Sequence, residues 1–270
     1  MPTLTISTLQ TNLHWENKAA NLLMLEEKIE SLRGNTEVVV LPEMFSTGFS
    51  MNAADLGETM SGPTVEWMKK LSNENKLIIT GSVIIEEEKK YYNRLIWMMP
   101  DGSYGVYDKR HLFSYSGEDK FYTPGNKRLI TSVKGWKINV QICYDLRFPV
   151  WARQSYASNQ NKDQERSHEY DVLVYVANWP ERRSHAWKTL LCARAIENQC
   201  YVIGVNRVGL DGNDIFYSGN SLVIDPLGEV LYHMADEEDI FTVTFQKEKL
   251  EEVRTRFPFF KDGDDFDIRP

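Results

Sequence analysis

The chain contains no apolar run close to the roughly 18 residues that a membrane-spanning helix requires. Its opening, Met1-Pro2-Thr3-Leu4, has neither the basic start nor the apolar middle of a secretion signal. Cysteine is scarce. Cys143, Cys192 and Cys200 cannot all pair within one chain, and none forms a CxxC, so free thiols in a reducing, cytoplasmic setting are expected. The five histidines (His14, His111, His168, His185 and His233) include no HxH or HxxxH pair, which argues against a metal centre. Positive charge is also short. A net charge of -8 and a pI near 5.3 repel a nucleic-acid backbone on average. The pairs Lys127-Arg128 and Arg182-Arg183 are too short to reverse that and read as solvated faces. No stretch resembles a linker, and no repeat is clear, although the two halves have a similar order of elements. These absences leave a soluble protein with no membrane, nucleic-acid, metal or cofactor partner in view.

What is present suits a large single core: 270 residues, 42% hydrophobic and 26% charged. Leu4, Ile6 and Thr8 alternate as in a strand, and Leu22, Leu25, Ile29 and Leu32 recur at helical spacing before Gly34. Residues 38–41 form a short apolar run, residues 65–71 read as a short helix, and residues 77–85 as a strand. Residues 91–99 and 104–107 flank Pro100-Asp101-Gly102 as a hairpin. Further on, strands are expected at 136–142, 172–176, 201–205 and 241–245, with a pair at 217–224 and 229–233 across Asp225-Pro226-Leu227-Gly228. Helices are expected at 149–156, 183–198 and 247–256, a polar surface loop at 158–167, and a tail at 257–270 that is loose or packs on a neighbour. This alternation predicts an α/β fold with helices covering a mixed sheet.

Chemistry gathers where apolar strands end. Val38-Val39-Val40-Leu41 runs into Pro42-Glu43, Val106-Tyr107 into Asp108-Lys109-Arg110-His111, and Asn139-Val140-Gln141-Ile142 into Cys143-Tyr144-Asp145. The carboxyl ends of strands in α/β sheets form the crevice where ligands bind, so a carboxylate, an ammonium and a thiol can meet there. A thiol becomes a nucleophile once something takes its proton, and a desolvated carboxylate such as Glu43 can do so. Lys109 and the backbone amide of Tyr144 can face the negative charge that develops on a carbonyl oxygen. Together they form a set for attack on an amide or nitrile carbon. Taken singly, a buried cysteine is usually inert packing, and Cys192 and Cys200 keep that reading.

These segments resemble the signature regions of the nitrilase (carbon–nitrogen hydrolase) superfamily. The likeness rests on Leu41-Pro42-Glu43-Met44-Phe45, on Tyr107-Asp108-Lys109-Arg110-His111-Leu112-Phe113, and on the run from Gln141 through Cys143 to Pro149. Pro124-Gly125, Ala177-Asn178-Trp179-Pro180, Ala193-Arg194-Ala195-Ile196-Glu197-Asn198 and Gly219-Asn220-Ser221 also fit. The resemblance implies a four-layer α-β-β-α sandwich forming a single domain over 1–270, and a homodimer or larger homo-oligomer. It implies that Glu43 is the general base, Lys109 the stabiliser of the tetrahedral intermediate and Cys143 the nucleophile. Glu118 is then a supporting glutamate, with Asp119 as its rival.

The overall pattern is most similar to the omega-amidase group, which implies hydrolysis of small dicarboxylic monoamides such as 2-oxoglutaramate, 2-oxosuccinamate or succinamate, with water as co-substrate. Arg147 could pair with the distal carboxylate of such a substrate. Trp179, Tyr115 and Phe45 could wall the pocket. A nitrilase or N-carbamoyl hydrolase would use the same triad. A cysteine–histidine hydrolase using His185 or His111, or a non-catalytic metabolite-binding scaffold, stands outside it.

Overall fold

The computed structural model describes residues 2–154, 168–264, 266 and 268. The loop expected at 158–167 lies outside the described residues. In chain order the first half carries β1 (Thr3–Gln10), α1 (Lys18–Glu30), β2 (Val38–Val40), a single-turn α2 (Ala53–Leu56), α3 (Pro63–Asn75), β3 (Ile78–Glu87), β4 (Lys90–Met98) and β5 (Tyr104–Asp108). The second half carries β6 (Leu129–Val133), β7 (Trp136–Ile142), a single-turn α4 (Pro149–Ala152), β8 (Val172–Val176), α5 (Ser184–Asn198) and β9 (Tyr201–Val205). It continues with β10 (Val208–Leu210), β11 (Phe216–Ile224), β12 (Val230–Ala235), β13 (Asp239–Gln246) and α6 (Lys247–Arg256).

These strands form two sheets rather than one. The first has the order β13-β1-β2-β3-β4-β5, and the second β10-β11-β9-β8-β7-β6, with β12 paired to β11. Each has three parallel strands, β1-β2-β3 and β7-β8-β9, flanked by antiparallel ones. Residue alternation shows how the sheets stack. Val38 and Val40 join the core shared with Ile138, Val140 and Ile142 of β7. Val39, on the opposite face, joins Leu25 and Ile29 of α1 and Val65, Met68 and Leu71 of α3. A strand buried on both faces reads as an unbroken apolar run, which is why 38–41 shows no alternation. On the other side, α5 lies close against β9 because Gly204 has no side chain. A Cβ there would come within 2.5 Å of Leu191 and 2.8 Å of Trp187. The result is an α-β-β-α sandwich.

Several boundaries differ from expectation. The helix expected at 149–156 is a single turn ending at Ala152. The helix expected at 65–71 runs from Pro63, favoured in a first turn, to Asn75, and stops at a left-handed Lys76. β6 and β10 are short, partly exposed strands with little apolar pattern to reveal them. The described part of the tail packs on its own chain: Phe260 is buried and stacked on His168, and Gln199 donates to the Phe257 carbonyl.

β13 belongs to the first sheet, yet α6 directly after it docks on the second. Asp171, just before β8, accepts from the Lys137 amide at 2.9 Å and from Arg254 at 2.8 Å, and also pairs with Lys247. Arg254 further donates to the carbonyls of Gln199 and Tyr170. Burial pushes the Asp171 carboxyl up, but Lys247, the Lys137 amide and Arg254 outweigh it and hold the group below the ordinary aspartate value. Asp171→Asn is expected to cost roughly 3 kcal/mol in urea denaturation at neutral pH, because it leaves the buried Arg254 guanidinium with only the longer contact to the half-exposed Glu251. The stabilisation from Asp171 is present above pH 3.8 and is lost as pH falls through its lowered folded value, so the gap between the two proteins should close in that acid range.

Candidate active site

Three parallel strands end at one place. β2 leads through Leu41-Pro42 to Glu43, β7 directly to Cys143, and β8 through Ala177 to Asn178. Lys109 follows β5 at the edge of the first sheet. Two backbone reversals aim the side chains inward. Met44 has φ +44° and Cys143 φ +45°, left-handed conformations that cost a non-glycine residue roughly 1–3 kcal/mol and persist only when the surroundings enforce them.

The enforcement at Cys143 comes from Asp145. Its buried carboxylate accepts from Tyr107 Oη at 2.6 Å, from the His111 amide at 2.9 Å and from the Ile142 amide at 3.0 Å. It also meets His111 Nδ1 at 2.8 Å. At Glu43 the enforcement comes from Asn178, which donates its amide to Oε2 at 2.8 Å and its side-chain nitrogen to the Glu43 carbonyl at 2.6 Å. These two bonds tie the ends of the two sheets together.

Glu43 and Glu118 are fully buried, and Lys109 is 1% exposed. Lys109 Nζ donates to Glu43 Oε1 at 2.8 Å and to both oxygens of Glu118 at 3.0 Å. Glu118 also accepts from the Phe113 amide at 2.5 Å. Burial pulls the Lys109 ammonium down, but Glu118 and Glu43 overcome that and hold it above its usual range. Glu118 is pushed up by burial and by Glu43, against the pull of Lys109. The Cys143 thiol, 8% exposed, is pushed well up by burial and by the nearby Glu43 carboxylate. The resting sulfur is therefore a protonated thiol beside a carboxylate, and its Sγ lies 4.0 Å from the Asn178 carbonyl oxygen.

Above these groups opens a cavity of about 510 Å³ bordered by Lys109, Cys143, Phe49, Phe113, Tyr115 and Trp179. Arg147 and Arg183 reach into its lining, Arg147 5.0 Å over the Trp179 ring and Arg183 5.0 Å over the Phe113 ring. Among the described residues neither arginine is in an ion pair. Burial and the adjacent Arg182 pull the Arg183 guanidinium below its usual value.

The structure thus brings Glu43, Lys109, Cys143 and Glu118 together, and places Tyr144, Arg147, Trp179 and Tyr115 at the cavity. Phe45 is not there. It is fully buried against Trp67 in the core between the first sheet and its helices, because the turn after Glu43 points it away from the crevice. Asp119 is exposed, and so is His185 on α5. His111 is bound to Asp145. Arg182, exposed as expected, and the half-buried Arg183 also border the cavity. The polar residues that hold the acids and the turn (Asn93, Asp145 and Asn178) were not singled out from the sequence as site residues. Asn178 and Asp145 at least lie within segments that carried the family resemblance.

The chain belongs to the carbon–nitrogen hydrolase family, whose model matches residues 5–255. It is an enzyme fold with a hydrolase site, and its relatives narrow the type. The omega-amidase YafV of Yersinia enterocolitica is 43% identical over 98% of this chain and 99% of that protein. The 2-oxoglutaramate amidase of Bacillus subtilis is 33% identical over 96% of each. Among solved structures, the carbon–nitrogen hydrolase XC1258 from Xanthomonas campestris, which holds an arsenic adduct in its active site, is 44% identical with a TM-score of 0.95 over 100% of both chains.

The raised thiol has a direct consequence for alkylation. Iodoacetamide labelling of Cys143, followed by peptide mass mapping, should be slow at neutral pH and should still be rising at pH 9.0, the ordinary cysteine value. The reactive thiolate fraction grows only as pH approaches the elevated value. A plateau below pH 9.0 would contradict a thiol buried beside a carboxylate.

Proposed function

We propose that this protein is a thiol amidohydrolase that releases ammonia from small dicarboxylic monoamides of the 2-oxoglutaramate, 2-oxosuccinamate or succinamate type. One observation carries the reading: a buried thiol beside Glu43 and Lys109 opens into a cavity where Arg147 and Arg183 are, among the described residues, in no ion pair. The relatives named as omega-amidase and 2-oxoglutaramate amidase support the substrate class.

In the proposed mechanism Glu43 accepts the Cys143 proton as sulfur attacks the amide carbon. The C–S bond forms, and the carbonyl electrons move to an oxyanion that faces Lys109 and the Tyr144 amide. Glu43 passes the proton to the nitrogen, the C–N bond breaks and ammonia leaves. Water then attacks the thioester while Glu43 takes its proton. The C–S bond breaks, Glu43 returns the proton to the departing sulfur, the carboxylic acid leaves and the thiol and the carboxylate are regenerated. Glu118 holds Lys109 in place. No step requires a cofactor. At the far end of the substrate a carboxylate is taken by Arg147, with Arg183 nearby. The apolar faces of Trp179 and Phe113 beneath these arginines strengthen the attraction by excluding water.

Cys143→Ala should lower turnover about 10⁴-fold or more, since attack has no substitute nucleophile. Glu43→Gln, given substrate and examined by intact-mass spectrometry, should show an acyl adduct on Cys143 if attack still proceeds slowly while deacylation stalls. An adduct on no residue would count against the thioester route.

The substrate class is tested separately by ammonia release from succinamate, simple aliphatic amides, aliphatic nitriles and N-carbamoyl acids. Succinamate should be much the fastest. Arg147→Ala should cut kcat/KM for it roughly tenfold to a hundredfold, mainly through KM, and Arg147→Lys should recover little, because an ammonium cannot form the bidentate contact. Equal rates on amides lacking the acid would remove the carboxylate-pocket assignment and leave the amidase reading standing.

A further inference from the structure

Asn93 lies in β4, where neither its neighbours nor its type marks it out. The hairpin register pairs Arg94 with Asp108, which puts Asn93 opposite Lys109, the next residue after β5. The Asn93 carbonyl accepts from the Lys109 amide at 3.0 Å. Its side chain is fully buried and points at the two acids: Nδ2 donates to Glu43 Oε1 at 2.8 Å and to Glu118 Oε1 at 3.2 Å. The remaining atom, Oδ1, is buried with no hydrogen-bond partner among the described residues. Buried polar atoms are rarely left this way, and those that are usually mark a constraint stronger than their own satisfaction. Here the constraint is visible. Turning the amide over would satisfy nothing and would set a carbonyl oxygen against two carboxylates.

We propose that Asn93 is a positioning residue for amide hydrolysis: the two N–H groups of its side chain hold Glu43 and Glu118 apart on either side of Lys109, fixing the base in line with Cys143. Lys109 alone cannot do this. One ammonium between two carboxylates leaves one negative charge uncompensated, and the acids are then free to compete for the cation. The Asn93 amide donates to both without adding charge, so it screens their repulsion and still leaves Lys109 shared. Its backbone contact with Lys109 makes the cation and the amide move as one unit with the hairpin. This inference rests on the reading of Glu43 as the base.

The titratable groups facing Glu43 from neighbouring elements are Lys109, Glu118, Cys143, Tyr122 and Tyr217. All remain in the variants used to test Asn93. Asn93→Leu removes both donors at similar volume, Asn93→Asp replaces them with acceptors in nearly the same shape, and Asn93→Ser retains one donor with a smaller side chain. Steady-state kinetics against pH should show kcat reduced at least tenfold in Asn93→Leu, with KM within about threefold of the parent. The acid limb of the profile should move up by about one pH unit, because a donor that favours the ionised carboxylate is gone. Asn93→Asp should lose more rate than Asn93→Leu, and Asn93→Ser less than either.

A residue that merely fills space predicts the reverse order, with the isosteric Asn93→Asp the mildest, and an acid limb that does not move. Either result would overturn the proposal, while the reading of Glu43 would survive provided Glu43→Gln abolishes turnover. If Glu43→Gln retains turnover, the reading of the base fails instead. Should Asn93→Leu fail to fold, the acid limb of Asn93→Ser and the rate order of Asn93→Ser against Asn93→Asp still decide the matter.

Discussion

The site depends on one interaction: the Lys109 ammonium held between two carboxylates with all three groups out of water. Each of the three ions loses several kcal/mol of hydration on burial. At about 3 Å and an effective dielectric near 20, one such pair recovers roughly 5 kcal/mol. The energies are comparable, so the cluster survives only with its further donors in place, namely the amides of Asn178 and Phe113 and the side chain of Asn93. Removing any member leaves a charge that its neighbours cannot solvate. A cluster of this kind contributes little net stability. What it contributes is a carboxylate fixed in position beside a thiol, in surroundings too dry for the carboxylate to reorient.

Such rigidity needs a frame, and the sandwich supplies one from both sides. Glu43 ends a strand of the first sheet and Cys143 a strand of the second, so their relative position depends on how the sheets are fastened at that end. Asn178 fastens them by bonding to both the carboxylate and the carbonyl of Glu43. Asp145 does comparable work within the nucleophile turn, gathering Tyr107 from the first sheet and His111 from the loop after it around the strained Cys143 backbone. At the opposite end of β8 Asp171 pins α6, which follows the first sheet's β13, onto the second sheet. The left-handed residues at the site are tolerated because these cross-sheet bonds leave the backbone no easier path.

Much of this was legible in the sequence, for a physical reason. β2 and β8 are buried on both faces and appear as unbroken apolar runs, while β7 alternates Ile138, Val140 and Ile142 with buried Asn139 and Gln141, and the polar residue that ends such a strand has to lie at the rim of a sheet. Glu43 and Cys143 could be found that way, and Lys109 from the short Val106-Tyr107 stretch before it. The second sheet could not be separated from the first on periodicity alone, because alternation reports the faces of a strand and not its partners. The direction of Phe45 was lost for a similar reason: it follows Glu43 by two residues, but the left-handed Met44 between them breaks the alternation that would have kept them on one side. Asn93 was invisible because its role comes from a hairpin register that sets it opposite Lys109. That Arg182 and Arg183 also border the cavity was not legible, because a charge pair shows no sign of what else its face adjoins.

The electrostatics of the site also suggest how a substrate of the proposed class would orient. The base of the cavity carries formally two negative charges against one positive, and its rim carries Arg147, Arg182 and Arg183. A monoamide with one carboxylate is therefore drawn to the rim by its charged end and kept from inserting that end toward Glu43 and Glu118. Only its neutral amide can approach the sulfur without repulsion. Arg147 lies over Trp179 and Arg183 over Phe113, so these two are held at a set distance from the base instead of swinging free. For a substrate of the proposed class, the separation between rim and thiol would then act as a ruler for the carbon chain between acid and amide. On this view the same field that makes Cys143 hard to ionise protects it from small anions, and leaves the neutral carbonyl as the group the site is built to receive.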